Sequence, residues 1–378
     1  MRKTRSFFHK IGAVIRHDPV LVAALILAVI SALFVPPSAE YIGYIDFHVL
    51  ALLFSLMLVV AGLQKSGAFD LLTDKLLQYV KSTRSLAAVL VGVCFFTSMF
   101  ITNDVALITF VPLSVLLLGR EQDEKLLMLV VVLQTIAANL GSGLTPLGNP
   151  QNLYLYSLSG LALGEFLSIM ALPTAISAIL LASAVLLIRP RSVTKSEKDE
   201  REHVSLGRIL IWLILFAVCL LTVLHLVHDL VMLAVVLITV LIIDRSLLKK
   251  ADYALLLTFI GFFVFIGNVK NIPAISEVLA SFVAGRELGI GILLSQVISN
   301  VPAAMLLSGF TENYSKLLVG VNLGGLGTLI ASMASMISYK IYVASSNAKT
   351  GKYFILFTGL NVLCLALILV IMLLIGAL

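Results

Sequence analysis

The chain has 378 residues, 60% of them hydrophobic and 12% charged, with a mean hydropathy of +1.10. This composition excludes a soluble globular protein and leaves no room for a soluble domain between the apolar runs. The net charge of +6 does not argue for nucleic acid, because the placement of the basic residues explains it better.

The N-terminus is basic, with Arg2, Lys3, Arg5, Lys10 and Arg16. The first apolar run, 20–35, ends in Pro36-Pro37 rather than a small-residue cleavage site, which predicts a retained span. Span 2 covers 47–63. Residues 64–84 then carry Lys65, Asp70, Asp74, Lys75, Lys81 and Arg84 at helical spacing among apolar residues, the pattern of an amphipathic surface helix. Two short apolar pieces, 85–101 and 105–118, are joined by Thr102-Asn103-Asp104. At ~1.5 Å per residue they fall short of the ~30 Å hydrocarbon core, which predicts a re-entrant hairpin. Arg120 to Lys125 form a charged turn.

Span 3, 126–156, contains Asn139-Leu140-Gly141-Ser142-Gly143-Leu144-Thr145-Pro146-Leu147-Gly148-Asn149-Pro150-Gln151-Asn152. Pro removes a donor and Gly leaves the backbone loose, so this stretch cannot continue a lipid-facing helix. Unpaired backbone groups cost several kcal/mol in hydrocarbon, and such a break survives only inside protein or around a polar cavity. It reads as an unwound helix around a binding site. Span 4 covers 163–188, and 189–208 is a hydrophilic linker. Spans 5, 6 and 7 cover 209–226, 230–243 and 253–269, with a basic turn of Arg245, Lys249 and Lys250 before the last. Residues 271–288 read as a second surface helix. A second short hairpin over 289–310 has Ser299-Asn300-Val301-Pro302 at its tip. Span 8, 317–341, is interrupted by Asn322-Leu323-Gly324-Gly325-Leu326-Gly327-Thr328, and span 9 covers 353–375. Cys94, Cys219 and Cys364 sit singly in apolar runs and read as packing residues.

With the N-terminus cytoplasmic and the C-terminus outside, 23 of the 26 Lys and Arg fall on the inner side; only Lys270, Arg286 and Lys316 do not. The positive-inside rule therefore favours this orientation.

The two halves repeat. Asp46 and Asp252 each precede a span containing a late Gly (Gly62, Gly267), followed three residues on by Lys65 or Lys270. The hairpin tips hold Thr102-Asn103 and Ser299-Asn300, and both breaks open with Asn-Leu-Gly. The expected fold class is an all-α polytopic membrane protein, an inverted repeat with two re-entrant hairpins and two broken transmembrane helices. Residues 1–188 form the first repeat (tip near 102–104, break 139–150), 189–228 the linker and span 5, and 229–378 the second repeat (tip near 299–302, break 322–328). Inverted repeats with discontinuous helices meeting at the midplane are the layout of secondary transporters.

Asn149-Pro150 reads as N-cap and first helical residue, so the helix resuming there aims its positive end into the cavity, favouring an anion. The half-helix stopping near Asn139 and Gly141 presents carbonyls, which favour a cation. The candidate substrate- or ion-binding residues are Thr102, Asn103, Asp104, Asn139, Gly141, Ser142, Thr145, Gly148, Asn149, Asn152, Ser299, Asn300, Asn322, Gly324, Gly325 and Thr328. Asn103, Asp104 and Asn300 are the Na⁺ candidates. Asp104 is the carboxylate at membrane depth, able to ligate Na⁺, exchange a proton, or merely cap the second hairpin arm. Glu165, His225, His228, Asp46 and Asp252 lie near span ends, where interfacial solvation is the simpler role.

The chain resembles the ion transporter superfamily of arsenite efflux pumps, sodium/proton antiporters, and citrate and divalent-anion/sodium symporters, in particular its compact YbiR-like bacterial members. The residues carrying the resemblance are Thr102 to Leu107, Leu144 to Asn152, Leu294 to Pro302 and Val321 to Gly325. It implies elevator-like movement, a homodimer held by scaffold helices, and a place in the bacterial cytoplasmic (inner) membrane. In the divalent-anion symporters each tip reads Ser-Asn-Thr; here the triplets are Thr102-Asn103-Asp104 and Ser299-Asn300-Val301, without the third-position Thr.

The expected function is cation-coupled (Na⁺ or H⁺) secondary transport of a small anion, a carboxylate or inorganic oxyanion, with no cofactor and no nucleic acid. The alternatives on the same fold are a Na⁺/H⁺ antiporter and an arsenite or metalloid exporter. No HExxH, GxSxG or paired aspartates point to an enzyme, and no filter motif points to a channel.

Overall fold

A computed structural model describes residues 19–120, 123–192, 204–345 and 348–377. The basic N-terminal segment and most of the 189–208 linker lie outside the described residues. Every regular element described is helical: α1 (Pro19–Ala32), α2 (Glu40–Tyr44), α3 (Phe47–Lys65), α4 (Ala68–Leu77), α5 (Thr83–Ile101), α6 (Asn103–Arg120), α7 (Glu124–Ser142), α8 (Pro150–Ser159), α9 (Leu163–Leu186), α10 (Leu206–Val223), α11 (Asp229–Ile243), a 3₁₀ turn (Arg245–Lys250), α12 (Tyr253–Lys270), α13 (Pro273–Val283), α14 (Glu287–Ile298), α15 (Asn300–Ser308), α16 (Tyr314–Leu323), α17 (Met333–Val343) and α18 (Thr350–Leu374). Seven of them are long and apolar enough to cross a membrane, or eight spans if the bent pair α13–α14 counts as one.

Helix starts follow local chemistry. Asp46 and Asp252, expected to be solvated ends, are N-caps that accept from the Val49 and Leu255 amides at 3.0 and 2.9 Å. Glu165 accepts from the Ala162 amide and His228 from that of Leu230, so these two also serve helix starts. Gly62 lies beneath the Trp212 ring and Gly267 beneath that of Tyr44, where a Cβ would enter the ring. Both late glycines of the repeated pattern therefore admit an aromatic side chain.

The packing is centred on α7, whose spanning stretch is 89% buried, against 22% for α18. Helices α5 and α6 pack on α7, and α14 and α15 pack on α16. The second hairpin arms cross over: α6 lies against α17 and α15 against α8. Helix α1 lies along α12, and α10 and α11 flank α3.

Four expectations need correction. The first hairpin is joined by one residue, Thr102, rather than three, so α5 and α6 run 19 and 18 residues; α5 alone is long enough to span. The first break is 143–149, since α7 continues through Ser142, and the second is 324–332 rather than 322–328. The apolar Leu329-Ile330-Ala331 looked helical but belongs to the loop, with α17 restarting after Ser332. The surface helix expected over 271–288 is shorter, α13 alone, and after a 108° bend the first arm of the second hairpin, α14, already starts at Glu287.

Candidate functional site

The two tips share one backbone device. Thr102 (φ 72, ψ 147) and Ser299 (φ 74, ψ 155) hold a conformation that side chains rarely adopt. It turns the next amide onto a break: Asn103 N–H donates to the Gly148 carbonyl and Asn300 N–H to that of Ala331, both at 3.0 Å. The tips are thus pinned to the loops just before the resumed helices α8 and α17.

Behind the tips lies a buried amide network. Asn139 Oδ1 accepts from Asn103 Nδ2 at 3.1 Å and from Ser332 Oγ at 3.0 Å, while its Nδ2 donates to Ser335 Oγ and the Gly325 carbonyl at 3.3 Å. Asn322 Nδ2 donates to Asn152 Oδ1 at 2.7 Å, and its Oδ1 accepts from Asn149 Nδ2 at 3.1 Å. Each break asparagine therefore bonds the cap position and the third residue of the other break's resumed helix. All of these side chains are buried, and almost every polar valence in such a place has to be met.

The break carbonyls are also engaged. Asn152 Nδ2 faces the carbonyls of Ser142, Gly143 and Thr145 at 3.2, 3.1 and 3.0 Å. Gln296 Nε2 faces those of Gly324 and Leu326, both at 2.9 Å, and the Ile292 carbonyl of its own helix at 3.2 Å, and its Oε1 accepts from the Thr328 amide. Thr145 and Thr328 hydroxyls donate to the Met99 and Gln296 carbonyls of their own hairpins. The glycines serve close approach: Gly141 meets the Phe95 carbonyl, Gly148 the Ser142 carbonyl, Gly324 the Ser295 hydroxyl and Gly325 the Asn300 amide.

In front of the network is a cavity lined by Asn103 and Asp104 from one tip and Asn300 and Val301 from the other. Pro150 and Gln151 of α8, Ser332 and Met333 of α17, and Leu255 of α12 complete it. About 10 Å³ is free for a water-sized occupant, roughly enough for one water molecule. Both resumed helices direct their N-terminal ends at this space, the end that favours negative charge. Two buried polar atoms on its lining residues have no hydrogen-bond partner: Asp104 Oδ1 and Gln151 Nε2. The Asp104 carboxylate does not cap α6; its amide is met by Asn103 Oδ1 at 2.9 Å.

Of the sixteen residues named from sequence, Asn103, Asp104 and Asn300 line this cavity. Asn139, Ser142, Asn149, Asn152 and Asn322 form the network behind it, and Thr102, Ser299, Thr145, Thr328 and the four glycines shape the tips and breaks. Gln151, Ser332 and Gln296 were missed. For Gln296 the signal is an amide side chain in a mostly apolar membrane segment, and for Gln151 its place at the second position of the helix that Asn149-Pro150 starts.

The match to the citrate transporter family model covers residues 13–316. The chain belongs to the citrate transporter family. Membership makes it a multi-pass membrane transporter rather than an enzyme, in agreement with the resemblance read from its motifs. An uncharacterised transporter of Methanocaldococcus jannaschii and the inner membrane protein YbiR of Escherichia coli are each 32% identical to it, over 84% of this chain and 86% of their own. The silicon efflux transporter LSI3 of Oryza sativa is 33% identical over 38% of this chain and 30% of its own length.

Proposed function

We propose that this family member is a secondary transporter that moves a small anion by alternating access, coupled to a cation held at Asp104. The observation that carries the reading is the pair of unpartnered buried atoms, Asp104 Oδ1 and Gln151 Nε2, on one cavity between two tips and two helix N-termini. The donor and helix ends suit an anion. The carboxylate opposes one unless a cation or proton neutralises it, which is the physical content of coupling.

The reciprocal bonds of Asn139 and Asn322 and the crossed packing of α6 on α17 and α15 on α8 support an inverted repeat. We read the tips and breaks as the moving substrate domain, and the helices around α3, α10 and α11 as the scaffold of an elevator-type homodimer.

A second reading is favoured by the same cavity, which among the described residues has no Lys, Arg or His in its lining. An uncharged hydroxylated solute could donate to Asp104 and accept from Gln151, and the silicon efflux relative belongs with this reading. Saturable, counterflow-competent uptake into proteoliposomes tests transport. A thermal-shift screen against carboxylates, oxyanions, arsenite and silicic acid, with and without Na⁺, separates the substrates. Flux that never saturates and shows no counterflow would replace the carrier with a channel.

A further inference from the structure

Each broken helix ends in a cluster of backbone carbonyls, the arrangement that in transporters of this layout takes a cation. In this chain both clusters already hold a nitrogen. Asn152 Nδ2 stands among three carbonyls at 3.0–3.2 Å, and Gln296 Nε2 between two, those of Gly324 and Leu326, both at 2.9 Å, with the Ile292 carbonyl of its own helix at 3.2 Å. An amide nitrogen carries two hydrogens, so the two break carbonyls of the second cluster take both of those of Gln296, while the first cluster offers one acceptor more than Asn152 has donors.

The second loop is moulded to its amide. Gly327 lies at φ +119 with no room for a Cβ beside Gln296 Oε1, and that oxygen takes the Thr328 amide at 2.9 Å. The two amides arrive from different elements. Asn152 lies in α8, downstream of its own break, whereas Gln296 comes from α14, three residues before its tip. The equivalent place in the first hairpin is Met99, which offers only its carbonyl, to Thr145. The two clusters have thus been filled by separate solutions, not by one inherited residue.

We infer that the Asn152 and Gln296 amides are built-in, uncharged occupants of the two carbonyl clusters, and that Asp104 is the one cation-binding group of this carrier. The carboxylate has no equivalent at the second tip, where Val301 stands, and its Oδ1 has no partner. The inference rests on the reading of the cavity as an ion and substrate site, and it adds a stoichiometry of one.

The test is thermal unfolding of the purified full-length protein, titrated with Na⁺ and Li⁺ against N-methyl-D-glucamine at an acidic and a basic pH. Wild type is expected to respond to one of these ions, or to protons, with a single-site dependence. Asp104→Asn should lose that response with both amides intact. Gln296→Glu in the Asp104→Asn background should regain a cation response, because an acceptor then faces the carbonyls. Asn152→Asp makes the same test in the other cluster should that variant fail to fold. A two-site dependence, a response surviving Asp104→Asn, no response in wild type, or none regained by either carboxylate variant would overturn the inference. Transport failing in proteoliposomes while this pattern holds would remove the transport reading and leave the cation assignment standing.

Discussion

Thr102 and Ser299, 197 positions apart, share a left-handed φ of 72° and 74° and hand the following amide to a break carbonyl at the same 3.0 Å. Backbone in this region costs a non-glycine residue on the order of 1–3 kcal/mol, and glycine gives back part of that gain as extra freedom in the unfolded chain. Thr102→Gly and Ser299→Gly are therefore each expected to raise thermal stability by about 0.5–2 kcal/mol. Destabilisation of both in a melting experiment would show that the side chains, not the backbone, hold the tips.

Asp104→Asn keeps shape and hydrogen-bonding capacity but cannot hold a cation or shed a proton. Concentrative uptake is expected to fall at least about tenfold, the equivalent of ~1.4 kcal/mol, while the melting temperature and substrate exchange at equal ion concentrations persist. Uptake with unchanged ion and pH dependence in proteoliposomes would take Asp104 out of coupling.

Removing Asn322 leaves the Asn152 carbonyl oxygen without its donor and the Asn149 amide with one fewer acceptor. Asn322→Ala should cost ~1–3 kcal/mol of stability. A cycle with Asn152→Ala should show a coupling of at least ~0.5 kcal/mol, and additive losses would mean the 2.7 Å bond carries little.

Two glycines of the first half should respond with opposite signs. Gly141 faces the Phe95 carbonyl with no space for a methyl group, whereas Gly92, inside α5, has nothing within 4 Å of its Cβ position. Gly141→Ala is expected to destabilise by more than ~1–3 kcal/mol, and Gly92→Ala to stabilise by ~0.5–1 kcal/mol. Equal melting temperatures for the two variants would contradict the close α5–α7 approach.

At the end of α11, Asp244 meets Lys65 at 2.5 Å and accepts from the Ser246 amide at 3.0 Å. The Lys65 ammonium, with Ser246, holds its carboxyl down to about 2. A lowered folded-state pKa contributes stability that is complete above the ordinary carboxylate value near ~3.9 and fades as pH falls toward the lowered one. Asp244→Asn should thus lower stability at neutral pH and flatten the acid loss between roughly pH 4 and 2. Parallel pH–melting curves for variant and wild type would exclude the pair as a contributor.

Much of this architecture was legible in the sequence because oil leaves the backbone few choices. Apolar runs located α3, α7, α9, α12 and α18 to within a few residues, and Asn149-Pro150 marked the restart at α8, since a cap followed by proline has one reading. Ser332 was not legible as a restart, because the three apolar residues before it continue the helical pattern. Asn103 and Asp104 look like part of a turn and make the arms of the first hairpin read short, yet Thr102 alone makes the turn. Asn139 and Asn322 stood out as polar groups in apolar surroundings, but which half supplies their partners is a tertiary fact. Gln151 and Gln296 were overlooked for the complementary reason. Each sits beside a more obvious signal, proline in one case and the Ser-Asn tip in the other.

The exchange of partners between Asn139 and Ser335, and between Asn322 and Asn152, has a consequence for how the molecule is made. When a ribosome has just delivered the first interrupted helix into the bilayer, the serines that will quiet Asn139 are about 190 codons from synthesis, at positions 332 and 335. Until they arrive, Asn103 is the one side-chain partner of Asn139 in this network that is already made. Biogenesis of this protein is therefore expected to be post-insertional at its centre, with the peripheral rods settled first and the middle zipped shut last.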